Sequence, residues 1–260
     1  MAYIKSYWNK KEENAKYALE HTKKMEEKYK DEIQHSIEYS KIYGPNFEIK
    51  HEFVGTGNVL LDELDSVAAV MDYSGTQKTA VLNFASYKNP GGMFINGSSA
   101  QEESLCKESF LYNVLRSFTD TYYKWNNERK NKALYLDRAI YTPDVIFERN
   151  GKSVKCDVIT CAAPNKSAAQ KYQKVTDEEN YDYLNKRIQF VLDIAEQHEV
   201  KTLILGAFGC GVFGQDPKEV AEIFMKHLPN YHFQTVLFAI PDKSSMNYKA
   251  FKDVLNRKEA

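Results

Sequence analysis

No run of about 18 apolar residues occurs in this chain, so no stretch of it reads as a membrane-spanning helix. Its opening segment, MAYIKSYWNKKEENAKYALEHTKK, lacks the apolar core of a secretory signal, and no signal peptide is expected. Neither sign of charge dominates: 35 Lys and Arg stand against 36 Asp and Glu. That balance offers no broad attraction to polyanions, and no direct nucleic-acid binding is expected. Cysteine is scarce. Cys106, Cys156, Cys161 and Cys210 form no CxxC pair, which argues against a zinc site and for free thiols in a reducing cytoplasm. The six histidines form no HxxxH pair, and no GxSxG elbow is present, so metallopeptidase and serine-hydrolase readings have no support. No metal or cofactor is expected.

The chain nevertheless has 260 residues, enough for one large domain with a full core. Residues 10–42 read as a long polar helix with a narrow stripe of Ala18, Met25, Tyr29, Ile33 and Ile37, stopped at Tyr43-Gly44-Pro45. This gives an expected N-terminal helical extension over 1–45 and a main domain over 46–260. Within the domain, strands are expected at 51–54, 79–86, 145–148, 154–161, 202–208 and 233–240. Helices are expected at 60–71, 101–117, 119–132, 177–199, 216–228 and 245–256. Strands alternating with helices imply an α/β layer fold with a largely parallel sheet.

Glycine is also rare, and its placement is informative. Seven of 12 glycines sit in two short stretches, Gly91, Gly92 and Gly97, then Gly206, Gly209, Gly211 and Gly214. Each stretch follows an apolar strand and precedes a helix. In open α/β sheets, ligands bind beyond the carboxyl ends of strands. Glycine there lets backbone N–H groups approach phosphate oxygens. Residues 209–214, GCGVFG, match GxGxxG, but a classical dinucleotide domain opens with that fingerprint. Only 46 residues follow Gly214, too few for the strands it requires.

Glu102 and Glu103 follow the first glycine loop directly. Neighbours on a helix point about 100° apart, so one acid can do proton chemistry while the other positions a hydroxyl. A helix N-terminus stabilises carboxylates, whereas desolvation under a ligand and a like charge next door favour the protonated acid. Ser98 or Ser99 is the expected helix cap. Cys210, between two glycines, reads as a small side chain in a phosphate loop rather than as a nucleophile.

Asn89-Pro90-Gly91-Gly92, then Met93, seven further residues and Gln101-Glu102-Glu103, resemble the signature of bacterial poly(ADP-ribose) glycohydrolases. The resemblance continues in order through Leu82-Asn83-Phe84-Ala85, Glu103-Ser104-Leu105-Cys106, Thr142-Pro143-Asp144-Val145, Ala163-Pro164-Asn165 and the stretch from Leu205 to Gly214. It covers roughly residues 50–255 and implies a macrodomain-like fold with a mixed, largely parallel sheet between helices. It further implies hydrolysis of ribose–ribose O-glycosidic bonds in poly(ADP-ribose), or of O-linked ADP-ribose on a target, with release of ADP-ribose. Glu103 would be the acid/base and Glu102 would hold ribose hydroxyls. Gly91, Gly92 and Asn96 would approach the distal ribose and diphosphate. Gly209, Cys210, Gly211, Val212, Phe213 and Gly214 would bind the diphosphate, with Phe213 against a ribose. Asn83, Ala85, Gln101 and Gly206 join the substrate-binding set, and Phe238 or Asn247 would face the adenine. One departure stands out: Met93 occupies the place of the family's third glycine. If that position requires φ > 0, methionine is costly there. An ADP-ribose-binding module with little catalysis is then the alternative.

Overall fold

The computed structural model describes residues 2–257. Met1 and residues 258–260, the outer ends of the two expected units, lie outside the described residues.

In chain order the elements are α1 (Ala2–Lys28), α2 (Lys30–Tyr39), β1 (Lys41–Tyr43), β2 (Asn58–Asp62), α3 (Ser66–Tyr73), β3 (Thr79–Phe84), α4 (Gln101–Lys107), α5 (Leu111–Leu115), α6 (Lys124–Glu128), β4 (Ala139–Arg149), β5 (Lys152–Cys161), α7 (Lys166–Gln173), α8 (Asp177–Gln197), β6 (Thr202–Leu205), α9 (Pro217–His227), β7 (Thr235–Ala239) and α10 (Met246–Asn256). The sheet runs β1-β4-β5-β3-β6-β7-β2. The β5-β3-β6-β7-β2 pairs are parallel, whereas β4 runs antiparallel to β5 and β1 antiparallel to β4. The mixed, mostly parallel α/β sheet matches the expected fold class.

Strand alternation divides the core into two layers. Leu82, Ile159, Leu203, Val236 and Phe238 point to the side covered by α8, α9 and α10. Val81, Val158, Ile204 and Leu237 point to the side covered by α1 to α5. Both faces of the central strands are therefore buried, which is why they read as continuous apolar runs rather than alternating ones.

Several expected elements differ in detail. The helix expected over 60–71 is instead the end of edge strand β2 followed by α3, capped by Asp65 accepting the Ala68 N–H at 2.9 Å. Strand β2 is held by parallel pairing with β7, far away in sequence, which local periodicity does not report. Residues 51–54 form no strand; the Val54 and Gly55 N–H groups bond to the Pro229 carbonyl. The long N-terminal helix breaks at Tyr29, with φ −125° and ψ 36°, and its expected last residues pair with β4 as β1. The helix expected at 101–117 is two short helices, and 119–132 is one π-helical turn, α6 and a loop.

Helix α1 lies directly against the first glycine loop. Asn14 Nδ2 donates to the Gly97 carbonyl at 3.2 Å, and a Cβ at residue 97 would run into the Lys11 carbonyl.

Candidate active site

Strands β3 and β6 pair only over Thr79–Val81 of β3, so the sheet opens at their carboxyl ends. Gln101 fills the gap left in the ladder. Its Oε1 accepts the Phe84 N–H at 2.8 Å, and its Nε2 donates to the Leu82 carbonyl at 2.9 Å. A side-chain amide thus replaces a missing strand neighbour and pins the first turn of α4 over the opening. Gln101 also donates to Ser66 Oγ at 3.1 Å, tying α3 into the same support.

The helix cap differs from expectation. Neither Ser98 nor Ser99 caps α4: the cap is Ala100, with φ −118° and ψ −168°. Alanine has no side-chain acceptor, so Glu103 reaches back and its Oε2 accepts the Ala100 N–H at 2.9 Å. The other oxygen, Oε1, accepts the Met93 N–H at 2.9 Å and so holds the glycine loop. Glu102 points deeper. Its Oε2 accepts the Ser86 N–H at 2.7 Å, and its Oε1 accepts from Asn83 Nδ2 at 3.3 Å. Although adjacent on the helix, both carboxyl groups close on Gly92. A Cβ built there would stand 2.6 Å from Glu103 Oε1 and 2.9 Å from Glu102 Oε2.

These groups line one cleft of about 370 Å³. One wall is Phe84, Ala85, Ser86, Gly92 and Met93 with Gln101, Glu102 and Glu103, and the other is Ala163, Ala207, Phe208, Gly209, Gly211, Val212 and Phe213. Among the described residues, the N–H groups of Gly211, Val212 and Phe213 have no protein acceptor. Val212 is 88% exposed, so its end of the loop stands open to solvent. Acids on one side and backbone donors open to solvent on the other suit a ligand with a reactive sugar at one end and an anionic group at the other.

Of the residues singled out from sequence, Ala85, Gly92, Gln101, Glu102, Glu103, Gly209, Gly211, Val212 and Phe213 come together here. Others do not line the cleft. Asn83 is fully buried beneath Glu102 and bonds to it and to Thr160, so it meets the cleft only through Glu102. Gly91 packs on Tyr112 and Cys106, Gly206 against the Ala239 carbonyl, and Gly214 against Ser167. Asn96 sits exposed on a 3-10 turn, and Asn247 is half-buried in the first turn of α10. Phe238 requires a correction as an adenine contact: it is fully buried, with its ring 5.4 Å from Phe224 and 5.1 Å from Phe251. Cys210 donates to the Phe208 carbonyl at 3.7 Å, and burial pushes its thiol up to about 12, which removes it as a nucleophile at neutral pH.

Met93 also departs from expectation. Its φ is −115° and ψ 31°, so no left-handed backbone is demanded there and methionine fits without strain. Its side chain is 42% exposed at the cleft rim. Sequence reading missed the Ser86 and Met93 N–H donors, because a backbone group leaves no residue-type signature. It also missed Tyr87 and Tyr135, whose rings stack at 4.1 Å while Tyr135 meets Phe213 edge-on at 6.1 Å, backing the 209–214 loop.

Glu102 carries the strongest electrostatic perturbation in the cleft. Desolvation pushes its carboxyl up to about 8, with the Glu103 charge adding to the rise and the Ser86 and Asn83 donors opposing it. The folded protein therefore holds a proton that the unfolded chain releases near the ordinary value of 4.5. The stability linked to that proton is fully present below the ordinary carboxyl range and is lost as pH rises through the raised value. Glu102→Gln is expected to abolish this decline, which is on the order of a few kcal/mol in wild type. Urea midpoints at pH 5 and pH 9 would check it, and parallel declines in both proteins would contradict it.

Comparison with known proteins gives a consistent result. The family model described as microbial-type PARG, catalytic domain, matches residues 10–150. No curated protein sequence gives a significant match. Among solved structures, the poly(ADP-ribose) glycohydrolase of Thermomonospora curvata bound to the inhibitor ADP-HPD is 30% identical, with a TM-score of 0.81 over 93% of this chain and 99% of that one. The poly(ADP-ribose) glycohydrolase of Deinococcus radiodurans in complex with ADP-ribose is also 30% identical, with a TM-score of 0.78 over 88% of this chain and 98% of that one.

Proposed function

Because the chain belongs to the microbial-type poly(ADP-ribose) glycohydrolase family, we propose that its cleft hydrolyses ribose–ribose O-glycosidic bonds of poly(ADP-ribose) with Glu103 as acid/base. The observation that carries this reading is the convergence of Glu102, Glu103 and the 209–214 loop on one cleft. Backbone N–H groups of Gly211, Val212 and Phe213 hold the diphosphate, and Phe213 packs on the adjoining ribose. The scissile bond then lies at the Glu103 end. Glu103 donates a proton to the departing 2′-oxygen as the C1″–O bond breaks and an oxocarbenium-like centre forms. It then takes a proton from the water that attacks C1″, and ADP-ribose leaves. Asn83 and Gln101 act as positioning residues, the first through Glu102 and the second through the α4 start.

Glu102, largely neutral at pH 7, bonds ribose hydroxyls and puts little negative charge beside Glu103. Substrate covering the cleft desolvates the pair, which favours the acid form needed for the first step. The kcat/KM is accordingly expected to fall as pH rises above about 8, where Glu102 ionises. The test of the function is release of free ADP-ribose from poly(ADP-ribose) by wild type and by Glu103→Gln.

The relaxed backbone of Met93 removes strain as a motive for a binding module without catalysis and leaves obstruction by its side chain at the cleft rim as the other. Met93→Gly is expected to change turnover by less than about three-fold. A tenfold rise would show that the side chain obstructs the substrate. The expected boundary at residue 45 does not separate two units: Ala18, Met25 and Ile33 share a core with the central strands and β1 pairs with β4, so residues 1–45 are proposed as part of the catalytic domain, bracing the site through the Asn14–Gly97 contact. A cytoplasmic location is supported by four cysteines without disulfides. Among the described residues, no helix is long and apolar enough to cross a membrane.

A further inference from the structure

A second hollow lies behind Glu103. It is small, about 100 Å³, and is lined by Asn14 and Tyr17 of α1 together with Ser98, Ser99, Glu103 and Lys107. It shares Glu103 with the cleft, and it shares Tyr17 and Lys107 with a groove of about 650 Å³ between α1 and the β4–β5 turn. That groove is strongly cationic. Lys24, Lys28, Lys107, Arg149 and Lys152 line it against only Glu108 and Glu148. Both acids are already engaged: Glu148 pairs with Lys28, and Glu108 accepts from Arg149 at 2.5 Å. Lys24, Lys107 and Lys152 are exposed and form no salt bridge with the described residues; Lys107 lies over the Tyr17 ring at 5.2 Å. A groove with five cations against two acids, three of the cations outside any salt bridge, is unusual on a chain whose net charge is −1.

The direction of the substrate gives this groove a purpose. With a diphosphate on the 209–214 loop and the scissile bond at Glu103, the rest of the polymer must leave the cleft past Glu103; Lys107 lies nearest that exit, whereas Lys152 opens β5 at the opposite end of the sheet from Cys161, so it is reached only by units further along the polymer. Each further unit of that polymer carries a diphosphate. We propose that the groove lined by Lys24, Lys107 and Lys152 is a second binding surface for poly(ADP-ribose), holding the diphosphates of the chain beyond the scissile bond. The inference rests on the proposed function and deepens it. Long polymers gain affinity from the groove, while free ADP-ribose does not reach it.

The test compares wild type with the triple variant Lys24→Glu, Lys107→Glu, Lys152→Glu on long poly(ADP-ribose), on the two-unit oligomer and on free ADP-ribose. KM for the long polymer is expected to rise about tenfold in the variant. The slope of log KM against log salt should flatten by about two, because each lost phosphate contact on a single strand removes roughly 0.7 of slope. The calorimetric Kd for ADP-ribose and kcat on the two-unit oligomer should stay unchanged. Should the reversals lower Tm, the variant with glutamine at all three positions carries the same comparison. Equal KM values for long polymer in variant and wild type would overturn the inference, as would an equal loss for free ADP-ribose. Weakened single-stranded DNA binding with unchanged polymer kinetics would make the groove a nucleic-acid surface and overturn it as well. If wild type itself released no ADP-ribose from any polymer, the proposed function would fail instead.

Discussion

Glu103→Gln is expected to lower kcat for ADP-ribose release by about a thousandfold or more, at the upper part of the range for losing a positioned acid/base. The amide matches the carboxyl in size but cannot donate and recover a proton. It also disturbs the local frame in a predictable way. Glu103 accepts two N–H groups, from Met93 and Ala100, one on each oxygen. Glutamine has one acceptor oxygen, so its amide nitrogen must face one of those donors. Both donors belong to solvent-exposed residues, so water can take over the lost bond and Tm should fall only slightly, by the net worth of one hydrogen bond, about 1 kcal/mol, while the protein stays folded. Kinetics on poly(ADP-ribose) together with a thermal melt separate the two effects. Undiminished turnover would remove Glu103 from the reaction.

Gly92→Ala is expected to have the second largest effect, a loss of about a hundredfold in kcat/KM with the fold intact. Two causes act together. Residue 92 has φ +61°, which is costly for any residue with a Cβ. The new methyl would also stand 2.6 Å from Glu103 Oε1 and 2.9 Å from Glu102 Oε2, so both carboxyl groups must move. A misplacement of about 1 Å at reacting groups is enough for a loss of that size. Gly55→Ala is the control, because Gly55 has φ +83° and no atom within 4 Å of its added Cβ. It should carry the backbone strain while keeping full activity. Equal activity losses in the two variants would contradict the carboxylate explanation.

The sequence made the site legible through residue types that are rare or conspicuous. Two glycine clusters and an acidic pair marked the two loops and the helix start that meet in the cleft. What stayed hidden depended on side-chain direction and on non-local pairing. Phe238 lies on a strand that ends near the site, and the family resemblance implied a ligand contact for it. Alternation along β7 turns it instead, with Val236, towards α9 and α10. Strand β2 read as the start of a helix because its stabilising neighbour, β7, arrives more than 170 residues later. The cap of α4 was invisible because alanine contributes only its N–H, and Glu103 supplies the acceptor. The depth of Glu102 was equally invisible: both acids are buried, and nothing in an adjacent pair tells which one reaches the Ser86 N–H and Asn83.

The most direct measurement is a crystal structure of the Glu103→Gln protein with ADP-ribose bound. The diphosphate should lie on the N–H groups of Gly211, Val212 and Phe213, with C1″ of the distal ribose within about 4 Å of the residue 103 side chain. ADP-ribose lying across the cleft with its adenine at residue 103, or bound outside the cleft, would contradict the account.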